Sequence, residues 1–345
     1  MTLRAAVMGT GGWAGQAHLP ALRQLPGVEV VACCGLTLEE AASFGRPHGL
    51  AAYEDLDRML GELSLDLVTV ATPDDVHPAA VRACLAAGVA VFCEKPLAND
   101  AATARELAAL EASSGGLATV GYSFRYSPAV QALRSDLSAG RLGEPWFLEL
   151  FEHNAQFHPR LGKPMNWKGD PAHSAGGALF EYGSHVLDLG EWLLGPVSGV
   201  SANLPRVLPG ARLDDIASLQ LRFAGGASGT LLASWLLTGG FPGIRLRLHG
   251  SEGLAEVQLN DTFEGGERYR AYDLGGRPQP PHALPGVSEG SAAYTLRHLR
   301  DFVAAVGGAG RSADLPTLGQ AASTQDVLDT SLRAHERWLD PHPAS

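Results

Sequence analysis

Lysine and isoleucine are scarce in this sequence. Of 26 basic residues only three are lysines, Lys95, Lys163 and Lys168, and isoleucine occurs twice, at Ile216 and Ile244. The bias is that of GC-rich codons, which put Arg wherever a positive charge alone is needed. A retained lysine is therefore informative, because Arg cannot give up a proton near neutral pH and Lys can. Basic runs are missing too, and 26 Lys+Arg against 37 Asp+Glu leave a net charge of −11. Nothing in that balance favours a nucleic-acid or anionic-membrane surface. No apolar run approaches the ~18 residues of a membrane span. The four cysteines, Cys33, Cys34, Cys84 and Cys93, contain no C-x-x-C pair. They make neither a zinc site nor a disulfide framework and fit a reducing cytoplasm. Met1-Thr2-Leu3-Arg4 runs straight into a strand-like segment, so no secretory leader is expected.

What is present is enough for two cores: 345 residues, 45% hydrophobic and 18% charged. Up to about Gly121, short apolar runs alternate with helical stretches. Strands are expected at Leu3–Gly9, Val28–Cys34, Leu67–Ala71, Val89–Cys93 and Leu117–Gly121. Helices are expected near Gly15–Leu25, Leu38–Phe44, Asp75–Ala87 and Asp100–Ala112. Near-continuous apolar strands alternating with helices predict an α/β domain, a doubly wound parallel sheet covered on both faces, over residues 1–121. Residues 122–345 change character. After a helix at Ser127–Ala139 and one at Glu181–Leu194 come strands that follow each other directly, Ile216–Phe223, Ala227–Leu237, Ile244–His249 and Leu254–Leu259. Residues 261–290 read as loop or ragged hairpin, and helices at Ala292–Val306 and Leu318–Trp338 close the chain. This predicts an α+β domain whose open sheet is mainly antiparallel with helices on one face.

Gly9-Thr10-Gly11-Gly12-Trp13-Ala14 fits G-x-G-x-x-A between the first strand and a helix. Glycines there allow a tight turn and close approach of backbone to a pyrophosphate, with the helix N-terminus supplying oriented N–H groups. The second strand ends Cys33-Cys34-Gly35-Leu36-Thr37. Gly35 falls where an acid would bind ribose hydroxyls, and no Arg stands beside it for a 2′-phosphate, so NAD and NADP both remain open. The fourth of these strands ends in Glu94-Lys95-Pro96, which puts Lys95 at the carboxyl edge where ligands bind in such sheets.

The set Gly9-Thr10-Gly11…His18, Ala71-Thr72-Pro73…His77, Glu94-Lys95-Pro96 and Gly176-Gly177-Ala178-Leu179…Gly183-Ser184-His185…Asp188 resembles the Gfo/Idh/MocA family of NAD(P)-dependent oxidoreductases. The resemblance is dense from residue 3 to about 195. It implies a Rossmann domain, an α+β domain whose open sheet packs as a homo-dimer or homo-tetramer, and a cleft where a sugar, cyclitol or related polyol exchanges a hydride with nicotinamide. It gives Lys95 a place beside the reacting hydroxyl and His185 the role of acid/base, and it lines the cofactor with Thr72, Pro73, His77 and Glu94. The family commonly carries Asp where this chain has Glu181, which on a helix shares a face with His185.

Independently of the resemblance, oxidising a secondary alcohol needs a base of pKa near the operating pH, which His is without tuning. His185 is expected to exchange the proton with Lys95 donating to the substrate oxygen; the competing assignment makes Lys95 the base. Trp167 and Lys168 lie in a loop upstream of Glu181 and can approach substrate or simply pack; the resemblance implies that Arg125 approaches the nicotinamide or substrate, a structural ion pair being the alternative. His153, His158, His173 and His185 with Glu152 and Asp170 lack the H-x-x-x-H spacing of a metal site. Two other classes stay open: a cofactor-binding sensor without turnover, suggested by Glu181 and the missing ribose acid, and a hydrolase or lyase that uses NAD transiently.

Overall fold

The computed structural model describes residues 2–162, 165–237, 243–259, 266–280 and 290–335. Lys163, parts of the 261–290 stretch and the end of the last helix, including Trp338, lie outside them. The backbone groups into two compact units, Met1–Tyr126 with Glu289–Ala322, and Ser127–Ser288 with Ser323–Ser345.

The first unit is a six-stranded parallel sheet. Its strands are β1 (Leu3–Met8), β2 (Val28–Cys34), β3 (Ala51–Tyr53), β4 (Leu67–Val70), β5 (Ala90–Cys93) and β6 (Ala118–Val120), in the order β3-β2-β1-β4-β5-β6. Residues alternate between two cores: Ala5, Val7, Leu67 and Phe92 face one, Ala6, Val68, Val70, Val91 and Cys93 the other. Covering helices explain that two-sided burial: α1 (Leu19–Gln24), α2 (Leu38–Gly45), α3 (Leu56–Glu62), α4 (His77–Ala86) and α5 (Ala101–Ser114).

The five expected strands form within a residue at each end. β3 and α3 were not anticipated. A three-residue strand is too short to show a period, and α3 depends on its Asp55 cap, which accepts from the Arg58 N–H at 2.9 Å. The first helix begins as a π-turn, Ala14–His18, before becoming α1. Later chain completes this unit. Helix α8 (Ser291–Ala304) buries Leu299 and Phe302 in the core with Phe92, and Leu318, Ala321 and Ala322, at the start of α9 (Leu318–His335), join the other core.

The second unit holds α6 (Pro128–Ser138), α7 (Ser184–Leu194) and a seven-stranded sheet. Its strands are β7 (Pro145–His153), β8 (Val197–Asn203), β9 (Ile216–Phe223), β10 (Ser228–Ser234), β11 (Gly243–Gly250), β12 (Gly253–Leu259) and β13 (Arg268–Asp273), ordered β13-β12-β11-β7-β10-β9-β8. Only the β7–β10 pairing is parallel. Leu148, Leu150, Leu246, Leu248 and Val257 are buried on one face, where Gly190 lets α7 approach Leu150 and Phe223 closely. β13 pairs antiparallel with β12, the hairpin side of what was expected there: Tyr269 and Ala271 are buried while Arg268 and Arg270 are exposed, an alternation that its charged residues masked.

Candidate functional site

In a sheet of this order, the strand connections leave in opposite directions from β1 and β4, and ligands bind beyond the carboxyl ends at that point. The glycine turn follows β1 directly. Gly9 has φ +114°, and a Cβ there would lie 2.2 Å from the Ala71 carbonyl oxygen, so the turn requires glycine. Around Gly11 there is open space, and a Cβ at Gly12 would meet only the tip of Gln16. The loop thus presents bare backbone. Gly35 packs tightly, with the Ala41 nitrogen and a Thr10 methyl both 3.0 Å from where its Cβ would be. Thr72, just past β4, has its Oγ1 buried without a hydrogen-bond partner, and Pro73 beside it is exposed.

Glu94 gathers three donors at the end of β5. Trp13 Nε1 donates to Oε1 at 3.1 Å, His18 Nε2 lies 2.9 Å from the same oxygen, and the Lys95 N–H reaches Oε2 at 3.3 Å. Burial opposes the Glu94 charge, yet the His18 bond and the His18, Lys95 and Trp13 neighbours hold its pKa below the usual carboxylate range. His18 is fully buried, edge-on to Phe92, and serves this carboxylate. Gly121 completes the seat, since a Cβ there would come within 2.8 Å of both Glu94 oxygens. Lys95 itself is half-buried. His77 opens α4 with its ring fully buried, Nδ1 2.7 Å from the Pro96 carbonyl oxygen and Nε2 3.0 Å from that of Thr72. Burial draws its pKa below the ordinary histidine value, the two carbonyls pulling the other way. Arg125 is 1% exposed and donates to Gln320 at 3.0 Å, the geometry of a buried brace.

In the second unit, Asp214 shapes the turn that carries the other expected residues. Its carboxylate accepts from the Gly177 N–H at 2.7 Å and the Leu179 N–H at 2.8 Å, and its carbonyl from the Ala178 N–H at 2.9 Å. A Cβ at Gly177 would fall 1.9 Å from that carbonyl oxygen. The turn it caps, Leu179–Gly183, is a π-turn leading into α7, so α-helical spacing does not carry over from Glu181 to His185. Glu181 pairs with Lys168 Nζ, which also lies 5.8 Å from the Trp167 ring centre. His185, in the first turn of α7, is half-buried.

Sequence reasoning missed four side chains here. Tyr182 Oη accepts from Asn154 Nδ2 at 3.0 Å and donates to Gln156 Oε1, and Asp214 caps the turn. Their signal was positional: Asn154 and Gln156 follow the end of β7, and Tyr182 is next to Glu181. Among the described residues no three His, Cys, Asp or Glu side chains gather into a group that could hold a metal ion.

A doubly wound sheet with a glycine turn at its switch point defines a Rossmann-type dinucleotide-binding unit, here joined to an open mixed sheet. The chain belongs to the Gfo/Idh/MocA family of oxidoreductases: residues 3–122 match the oxidoreductase family with an NAD-binding Rossmann fold, and residues 130–256 match the GFO/IDH/MocA C-terminal domain. Similar proteins include D-apiose dehydrogenase of Paraburkholderia graminis, 29% identical over 72% of this chain and 65% of the relative. Inositol 2-dehydrogenase of Pseudomonas savastanoi pv. phaseolicola is 35% identical over 56% of this chain and 55% of the relative. The chain thus spans between about half and two thirds of the length of these curated relatives. The fold is also that of an Agrobacterium radiobacter oxidoreductase crystallised with NAD+, L-tartaric acid and magnesium (TM-score 0.82, 21% identity, 98% of this chain and 97% of that one).

Proposed function

We propose that this chain is an NAD(P)-dependent oxidoreductase acting on a secondary alcohol of a sugar, cyclitol or related polyol, or on the matching ketone. The observation that carries the reading is the arrangement at the β1/β4 switch point: bare glycine backbone, an orphaned Thr72 hydroxyl, and Glu94-Lys95 at the end of the next strand. Family membership and the sugar and inositol activities of the relatives support it.

The residues fit a dinucleotide. Gly9, Thr10, Gly11, Gly12, Trp13 and Ala14 would cradle its pyrophosphate, Gly35 would border its adenosine ribose, and Thr72, Pro73, Glu94 and Lys95 would line the nicotinamide end. When bound, the nicotinamide supplies or accepts the hydride. Lys95 Nζ donates a hydrogen bond to the substrate oxygen and shares its proton, which stabilises developing alkoxide. The His185 imidazole would take the substrate hydroxyl proton on oxidation and return it on reduction. Glu181, held by Lys168, would contact the substrate, and Trp167 would offer an apolar face to a sugar ring. Arg125 acts through position rather than contact, given its burial.

Two broader readings accompany this one. The open face of the second sheet, with Phe147, Glu149, Phe151, Arg245 and Arg247, is proposed to pack against another copy in a dimer or tetramer. A cytoplasmic location is supported by four free, buried thiols; burial pushes Cys33 and Cys34 up to about 11 and Cys84 to about 12, so they are inert.

Thermal unfolding with NAD, NADP and their reduced forms, followed by turnover of a polyol panel read from the absorbance of reduced nicotinamide, tests the proposal. Stabilisation by at least one dinucleotide and turnover of at least one polyol are expected. No stabilisation by any of the four would sink it.

A further inference from the structure

We infer that His77 is a positioning residue for Lys95, its Nδ1–H holding the Pro96 carbonyl and with it the Glu94-Lys95-Pro96 turn in place. The inference rests on the assignment of Lys95 made above.

Main-chain ties between the ends of β4 and β5 finish with the Glu94 N–H on the Val70 carbonyl at 2.9 Å. Beyond that bond the Lys95 N–H goes to the side chain of Glu94, and Pro96 has no N–H to give. The Pro96 carbonyl is therefore the main-chain group this turn offers for a hold from its far side. The His77 ring supplies that hold. It reaches the Pro96 oxygen at 2.7 Å and the Thr72 oxygen at 3.0 Å, so a single side chain spans the segments that follow two neighbouring strands.

Nothing in this arrangement needs His77 to touch a ligand. The ring is fully buried, it opens helix α4 with Pro78 behind it, and both nitrogens face backbone. A neutral imidazole has one N–H and the protonated ring two, so the shorter bond stands in the Nδ1–H tautomer and in the cation. Only the Nε2–H tautomer lacks it. A misplacement of about 1 Å at a reacting group costs on the order of 100-fold in rate. Holding the Pro96 carbonyl, and with it the backbone next to Lys95, is thus worth a buried histidine.

Two substitutions separate positioning from packing. An Asn amide nitrogen can take the place of Nδ1, and a Gln amide nitrogen that of Nε2. His77→Asn keeps the Pro96 bond; His77→Gln gives it up and can reach only the Thr72 carbonyl. Because the chain has just three lysines, selective 13C/15N lysine labelling gives three side-chain signals, assignable by Lys→Arg replacement. The Lys95 signal is expected to hold its wild-type position in His77→Asn and to move or broaden in His77→Gln, with the Lys168 signal unmoved in both. In turnover, His77→Gln should lose on the order of 100-fold in kcat while its dinucleotide Kd stays within about threefold. Thermal unfolding first checks that each variant folds. If His77→Gln does not, the 15N spectrum of the wild-type ring decides, since it must carry a proton on Nδ1. An unmoved Lys95 signal in His77→Gln, equal displacement in both variants, or a bare Nδ1 would each overturn the inference. A wild-type protein that turns over no polyol would instead refute the oxidoreductase reading, and the lysine spectra would still judge the clamp.

Discussion

At the scale of single residues, Lys95 carries the strongest chemical argument. Arginine supplies 23 of the 26 basic residues, yet the residue that follows β5 and Glu94 is a lysine. Replacing it by Arg keeps the charge beside Glu94 but removes a group able to share a proton. Lys95→Arg is expected to melt within a few degrees of wild type and to lose about 100-fold or more in kcat, read by steady-state kinetics. Full activity would show that charge alone suffices. The Glu94 carboxylate belongs to the same seat. Trp13, His18 and Lys95 converge on it, and the tight fit of Gly121 leaves no room for another residue to share the place.

At the scale of elements, the legible parts were those with a strong period or strong punctuation. β2 and β9 have the bounds expected from their apolar runs, and the glycine turn lies where its motif put it. What the sequence concealed was short, polar or irregular. β3 has three residues, β13 carries two arginines on its exposed face, and a π-turn is invisible to any rule based on 3.6-residue spacing. The contacts of Glu181 were hidden for that last reason, and its Lys168 partner lies thirteen positions away in a loop. Asp214 could not be found either, since it caps a turn more than thirty residues upstream. Because a methyl at position 177 would collide with backbone rather than with a flexible side chain, Gly177→Ala is expected to cost about 1–3 kcal/mol or more. Chemical denaturation measures it, and an unchanged midpoint would mean that the turn can shift without loss.

For the whole molecule, the open face of the second sheet makes the clearest prediction. Arg245 lies 4.5 Å over the Phe151 ring, and Arg247 bridges Glu149 and Glu256, so the face is ordered within one chain. Light scattering on the eluting protein is expected to give the mass of two or four chains. Phe151→Glu puts a carboxylate under Arg245, which preserves the fold but buries a charge in any interface, and the mass should drop to that of one chain. A single-chain mass for the wild type would remove the sheet from consideration as an assembly surface.

The return of α8 to the first unit bears on the order in which this protein can be made. Ribosomes add about 5–20 residues per second, so the stretch from residue 126 to 322 takes roughly 10–40 s to emerge. For most of that interval the first sheet waits without Leu299, Phe302 and Leu318 against its two faces. Nascent chains stalled before residue 289 would therefore present bare apolar surface, a substrate for chaperones rather than a finished nucleotide site.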